Sequence, residues 1–135
     1  MKLFLDTNVV LDIFLRREPF FHDSYEAVRR AIENEDECFI SATAATDIFY
    51  ILRKSLQSSE KAKEYINALM RLALFSDVTC NDISDALSAD MPDFEDAVLD
   101  AVAKRNNADY IITRNTKDFV GSNVCAITPT DFLTL

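Results

Sequence analysis

The sequence predicts an α/β fold: a three-layer α/β/α sandwich around a central, mainly parallel sheet of four to five strands, in a single domain covering residues 1–135. Three observations carry this reading. Short apolar runs alternate with stretches of helical periodicity along the whole chain, with no linker, repeat or low-complexity segment between them. Glycine occurs once and proline three times, too few for the many tight turns of a β-sandwich or barrel. Strands separated by helices cannot pair as hairpins; they need crossover connections, which give a parallel sheet covered on both faces. A chain of 135 residues, 49% hydrophobic, is long enough to bury such a core without disulfides or metals as staples.

The elements follow in order. KLFL, 2–5, reads as a short buried strand, and NVVLDIFLR, 8–16, as a helix beginning near Asp6 or Thr7. Within it Asp12 is expected to be a solvated helix residue. A longer helix is expected over about 22–35, with Tyr25, Val28, Ala31 and Ile32 at helical spacing. ECFIS, 37–41, is the second strand, and TAATDIFYILRKSL, 43–56, the next helix. Ser58, Ser59 and Glu60 cap a helix to about Leu72 with Tyr65, Leu69 and Leu72 on one stripe. The pairs Tyr50-Ile51 and Leu69-Leu72 are expected in the core. FSDVTC, 75–80, is a third strand, after which Asn81 caps a short helix to about Ser88. Pro92 and Asp93 open a helix to about Asn106 whose apolar stripe is Phe94, Ala97, Val98, Ala101 and Val102. DYIIT, 109–113, and VCAI, 124–127, are the last strands, and Pro129 and Asp131 precede a terminal turn.

The formal net charge is −9, the reverse of a protein that coats nucleic acid through a basic surface. Nucleic acid would have to be gripped locally, with cations offsetting acids; a solvated acidic surface is the plainer explanation. Cys38, Cys80 and Cys125 are odd in number and far apart, which suits buried free thiols of a cytosolic protein. The opening MKLFLDTN meets an acid after only a short apolar run, unlike a signal peptide, and no apolar segment approaches a membrane span. A cytoplasmic protein with no membrane partner is expected.

Sites on parallel sheets lie beyond the carboxyl ends of the strands. Asp6 directly follows the first strand, Asn115 and Asp118 follow DYIIT, and Asp47 sits early in the helix after ECFIS. In DFEDAVLDAVAKR, Asp93, Asp96 and Asp100 share a face apart from the apolar stripe. Asp93 and Asp96 also suit a helix start, where the dipole favours acids, but Asp100 lies too far in to benefit. Four segments thus bring oxygen donors to one edge. No Lys or Arg is interleaved with Asp6, Asp47 or Asp96, so the acids would repel one another. A hard divalent cation, Mg²⁺ or Mn²⁺, resolves that conflict. Zinc fits poorly, because the only histidine, His22, reads as a surface or helix-start residue.

These segments resemble the PIN-domain family of metal-dependent nucleases. LFLDTNVVLD looks like the family's opening strand, Asp and Thr-Asn; ISATAATDIFYILRK like the segment with its second acid; DFEDAVLDAVA like its third-acid helix; and ADYIITRNTKDF like its closing strand and acid-bearing loop. The resemblance covers nearly the whole chain. It implies Asp6, Asp47 and Asp96 as catalytic acids and, with Asn115 and Asp118, as metal ligands. Asp47 stands where many relatives carry Glu, and Asn115 where many carry a fourth acid. Asn8 and Thr113 resemble the polar residues that orient the first acid, with Asp93 and Asp100 in support. The implied activity is Mg²⁺- or Mn²⁺-dependent hydrolysis of RNA phosphodiesters. Arg53, Lys54, Arg114 and Lys117 flank the acid segments and would hold the RNA backbone, unless they are simply a solvated face. Many compact members are toxins of toxin–antitoxin pairs, which implies a homodimer and a small antitoxin protein as partner.

Three other readings stay in view. A haloacid-dehalogenase-type phosphatase needs an acid two residues after the first Asp, where this chain has Asn8. A phospho-receiver domain needs a phospho-accepting Asp and a late Lys after central strands, which this order does not clearly supply. A PIN-like scaffold that binds RNA or protein through a weakened metal site is kept alive by Asp47 and Asn115.

Overall fold

The computed structural model describes all of residues 1–135. Its elements run β1 (Lys2–Leu5), α1 (Thr7–Phe14), α2 (Phe21–Glu33), β2 (Glu37–Ser41), α3 (Ala42–Leu56), α4 (Ser59–Leu72), β3 (Leu74–Ser76), α5 (Cys80–Ser88), α6 (Phe94–Arg105), β4 (Tyr110–Ile112), β5 (Cys125–Ile127) and α7 (Pro129–Phe132). A single 3-10 turn, Thr116–Phe119, lies in the crossover between β4 and β5. The five strands form one sheet in the order β3-β2-β1-β4-β5, and every pairing is parallel. The expected sandwich is therefore present, with all five strands parallel.

The inner strands β1, β2 and β4 are largely buried on both faces, and their alternate side chains divide between two cores. Leu3, Leu5, Cys38, Ile40 and Ile112 join the larger core, which includes residues of α1, α2, α3, α4 and α7. Phe4, Phe39 and Ile111 join the smaller one, built with Leu99, Val102 and Ala103 of α6 together with Phe119 and Val124. Phe4 and Phe39 stack across β1 and β2 with ring centroids 6.2 Å apart. The chain runs outward from β1 through β2 to β3, then returns to the other side of β1 as β4. The strand order reverses between β1 and β4, the place where a parallel sheet opens a crevice at its carboxyl edge. No helix is long and apolar enough to cross a membrane.

Several local expectations change. The third strand ends at Ser76 rather than Cys80, because Thr79 and Asp82 form a reciprocal cap: the Thr79 hydroxyl accepts from the Asp82 amide and the Asp82 carboxylate from the Thr79 amide. Thr79, not Asn81, thus starts α5. Asp82 also takes the Arg105 guanidinium, at 2.9 Å from Nη2, tying α5 to α6. Of the cysteines only Cys38 is buried; Cys80 and Cys125 are exposed, and all three are free. Tyr25, Ile32, Tyr50, Leu72 and Phe94 are exposed although their spacing placed them on apolar stripes. Each helix buries only one stripe, so the outer margin of that stripe remains in solvent. The one glycine, Gly121, has φ +89, and a β-carbon there would meet the Asp90 carbonyl oxygen at 2.4 Å.

Asp12 is the largest departure. It is not solvated but 0% exposed, and it pairs with Arg114 through Nε at 2.5 Å and Nη2 at 3.2 Å, with Arg17 Nη1 at 3.9 Å. The Arg114 guanidinium also lies 4.1 Å from the Phe20 ring centroid.

Asp100 departs from the expected acid face as well. At 2% exposure its carboxylate accepts from the amides of Asn123 and Val124 and from Asn123 Nδ2, each at 2.9 Å. It braces the loop that delivers β5. Removing it strands buried donors, so Asp100→Ala should lower the unfolding free energy by about 3 kcal/mol in a urea titration. A variant as stable as the parent would show that this brace is not what holds the loop.

Candidate active site

Asp6 leaves β1 at the reversal of strand order. Its amide still bonds to the Ile112 carbonyl at 3.0 Å, so the ladder with β4 fixes its backbone. Its side chain caps α1: Oδ1 accepts from the Thr7 amide at 2.7 Å. Oδ2 accepts from the Thr113 hydroxyl at 2.7 Å and from Asn8 Nδ2 at 3.2 Å. Thr113 is fully buried just past β4, and its hydroxyl accepts in turn from the Asn115 amide at 3.1 Å. Asn8 completes the frame by accepting from the Arg114 amide at 3.4 Å. Asn8 and Thr113 therefore orient Asp6. A carboxylate offers about four lone-pair sites, and three donors occupy Asp6 here, leaving room for one further partner.

Beside Asp6 lies an open cleft of about 580 Å³. Asp6, Thr7, Asp47 and Asp96 line it, with Ser41 and Thr43 bonded hydroxyl to hydroxyl at 2.7 Å. Much of the remaining wall is apolar and includes Tyr50, Ile51, Ile83 and Phe94. Spacing alone marked Tyr50 and Phe94 as core; their exposure at the cleft is a tertiary outcome.

The acids at this edge press on one another. Burial drives the Asp6 carboxyl above its ordinary range, against the Thr113 and Thr7 hydrogen bonds and the positive charge of Arg114; Asp93 adds to the rise. Asp96 is pushed up to about 7, first by burial, then by the negative charges of Asp6, Asp93, Asp118 and Glu95. Asp93 is the N-cap of α6, its Oδ1 accepting from the Asp96 amide at 3.0 Å, so it contributes charge at the helix start. Asp118 sits in the 3-10 turn, close enough to act on Asp96. Asp47 is exposed on the α3 side of the cleft, and Asn115 is exposed at the start of the 3-10 turn.

The side chains of Asp47, Asp96, Asn115 and Asp118 make no hydrogen bond within the protein. Of the expected ligands, Asp6, Asp47 and Asp96 line the cleft, with Asn115 and Asp118 outside its lining; the donors are all oxygens, without His or Cys, a chemistry that suits a hard divalent cation. No three acidic, His or Cys side chains lie close enough together to hold a metal ion, so the expected set of ligands is not gathered at one point. Mg²⁺ commonly takes one or two carboxylates directly and completes its shell with water, so it does not need three converging acids. His22 lies on the surface at the start of α2, beside Asp23 at 3.2 Å.

The basic residues divide. Arg53 and Lys54 are exposed in the last turn of α3, Arg53 lying 5.8 Å from the Tyr50 ring centroid, and Lys117 is exposed in the 3-10 turn. Arg114 is not a free cation: Asp12 holds it within the protein. Asp12 is the residue that sequence reasoning missed. A signal existed, since it sits among Val9, Val10 and Leu11, all buried, in a helix too apolar to leave a charge at its centre unpaired.

Comparison with known proteins agrees with this fold. The model of the PIN domain family matches residues 2–117. The chain is 25% identical over 135 residues to Ribonuclease VapC1 of Aquifex aeolicus (strain VF5), covering 97% of this chain and 92% of that protein. Its fold is similar to that in the crystal structure of VapBC2 from Rickettsia felis bound to a DNA fragment from their promoter, with TM-score 0.75, 15% identity, and coverage of 95% of this chain and 98% of that one. It is also similar to a toxin–antitoxin complex from Klebsiella pneumoniae, with TM-score 0.67, 20% identity, and coverage of 94% and 97%. With the parallel sheet, the acids at its reversal point and a family match over most of its length, the chain belongs to the PIN domain family.

Proposed function

We propose that this chain is a divalent-metal-dependent endoribonuclease and the toxin of a toxin–antitoxin pair. The observation that carries the reading is the set of carboxylates around the cleft, Asp6 fixed by three donors and Asp47, Asp96 and Asp118 without protein partners. The name of the ribonuclease relative supports RNA as substrate, and the toxin–antitoxin complexes among the similar structures support a small antitoxin partner.

In this reading Asp6, Asp47 and Asp96 are the catalytic acids and hold Mg²⁺ or Mn²⁺, with Asn115 and Asp118 at the rim. When bound, the cation lowers the pKa of water and offsets charge on the phosphate. The protein's own groups do the rest. Thr113 and Asn8 keep the Asp6 carboxylate in one orientation. Without a cation, Asp96 keeps a proton up to near neutrality, so cation binding displaces that proton. Arg53, Lys54 and Lys117 grip the RNA backbone through charge, which positions a strand without reading its sequence. Tyr50, Ile83 and Phe94, exposed around the cleft, supply apolar surface for a second copy in a homodimer. The protein acts in the cytoplasm.

The direct test is RNA cleavage with Mn²⁺. Asp6→Asn should reduce the rate about 100-fold or more while the far-UV spectrum and cooperative melting persist. Equal cleavage by both proteins would remove Asp6 from the chemistry, and no cleavage by the parent, with no thermal response to cation, would favour a PIN-like binding scaffold.

A second test uses the proton on Asp96. Its folded pKa of about 7 lies above the ordinary 3.8, so between these values the folded chain keeps a proton that the unfolded chain has lost. This contribution to stability is complete below the lower value and disappears as pH rises through the upper one. In chelator, Asp96→Asn should therefore melt higher than the parent at pH 8, with a smaller gap at pH 5. Added Mn²⁺ should stabilise the parent more at pH 8 than at pH 5, because cation and proton compete for the same cluster. Parallel melting curves across this range would count against a coupled acid cluster.

A further inference from the structure

The Asp12–Arg114 pair lies outside the cleft but is tied to it. Asp12 belongs to α1, the helix whose first turn Asp6 caps, and lies about 9 Å further along its axis. Arg114 belongs to the turn that leaves β4. That turn meets the beginning of α1 through Thr113, which donates to Asp6, and through the Arg114 amide, which donates to Asn8. The Arg114 side chain meets the later part of α1 at Asp12, with two contacts at 2.5 and 3.2 Å. The turn is thus clamped to one helix at two heights. Phe20 covers the guanidinium from the other side, 4.1 Å to the ring centroid.

Such a pair is a poor device for stability alone. Buried charges lose hydration, and apolar residues of similar volume often stabilise a fold as well or better. What a planar, two-point ion pair supplies is direction. We infer that Asp12 is a positioning residue of the site: through Arg114 it fixes the turn at residues 113–115, and through that turn it fixes where the Asp6 carboxylate points. The inference rests on the nuclease reading of the same site. It also reassigns Arg114 from gripping substrate to holding the frame.

The test compares the parent with Asp12→Asn, Arg114→Lys and the double substitution Asp12→Leu with Arg114→Met. Arg114→Lys keeps the charge but loses the planar fork, and the double variant leaves no unpaired charge, so it guards against simple misfolding. Two readouts are taken: steady-state RNA cleavage with Mn²⁺, and native-state amide exchange at Arg114 and Asn115 without metal. Each variant should lose about tenfold or more in kcat with KM within about twofold. In the double variant, with its melting temperature at or near that of the parent, exchange at the two amides should rise about tenfold relative to amides of α3 and α4. Unchanged kcat in a stable double variant overturns the inference, and so does unchanged exchange at Arg114 and Asn115. A raised KM at constant kcat overturns it too, and returns Arg114 to substrate binding. If the parent cleaves no RNA, the nuclease reading falls and the exchange measurement alone decides the positioning role.

Discussion

The bond from the Thr113 hydroxyl to Asp6 Oδ2, 2.7 Å long, joins the ends of two adjacent parallel strands, and much else follows from it. A carboxylate only 9% exposed at the end of a strand buried on both faces cannot stand without donors. β4 must therefore lie against β1 in one register, so that Thr113 arrives beside Asp6; the pairing of Leu5 with Ile112 provides it. The helix that follows must start at once, so that the Thr7 amide serves the other oxygen. The sheet, the first helix and the site are thus specified together.

Six acids apart from Asp6 divide into two groups. Asp12, Asp82 and Asp100 each have strong donors of their own, and each joins elements distant in sequence: α1 to the β4 exit, α5 to α6, and α6 to the loop before β5. Asp96 and Asp118 have neighbouring charges of their own sign and no side-chain donors, and Asp47 stands in the cleft wall without one. The first group joins elements through satisfied polar bonds. Around Asp96 the second is left with electrostatic repulsion that a cation would relieve. Asp96 and Asp100, one helical turn apart on α6, belong to different groups because one faces the cleft and the other the loop at residues 122–124.

The sheet was legible in the sequence because short apolar runs separated by helical periods leave little choice of topology. Asp6 was legible because a polar residue at the end of such a run falls on the carboxyl edge. Helix ends were less so. Arg16, Glu35, Gln57 and Asn107 adopt positive φ near the ends of α1, α2, α3 and α6, where a glycine would ordinarily mark the stop, and this chain has only one. The partners of Asp12 and Asp100 were not legible, because each bond closes across a long stretch of chain. Periodicity reports which face of a helix is apolar, but not which distant donor meets a carboxylate on it.

The separation of 107 residues between Asp6 and Thr113 bears on the order of events during synthesis. The acid leaves the ribosome long before the strand and hydroxyl that hold it. β1 can pair with β2 earlier, but its other edge stays open until β4 arrives, and contacts so distant in sequence form late. The nascent chain therefore carries its first acid well before it can aim it. Whatever reaction the finished cleft performs, Asp6 is aimed for it only once β4 has emerged and docked.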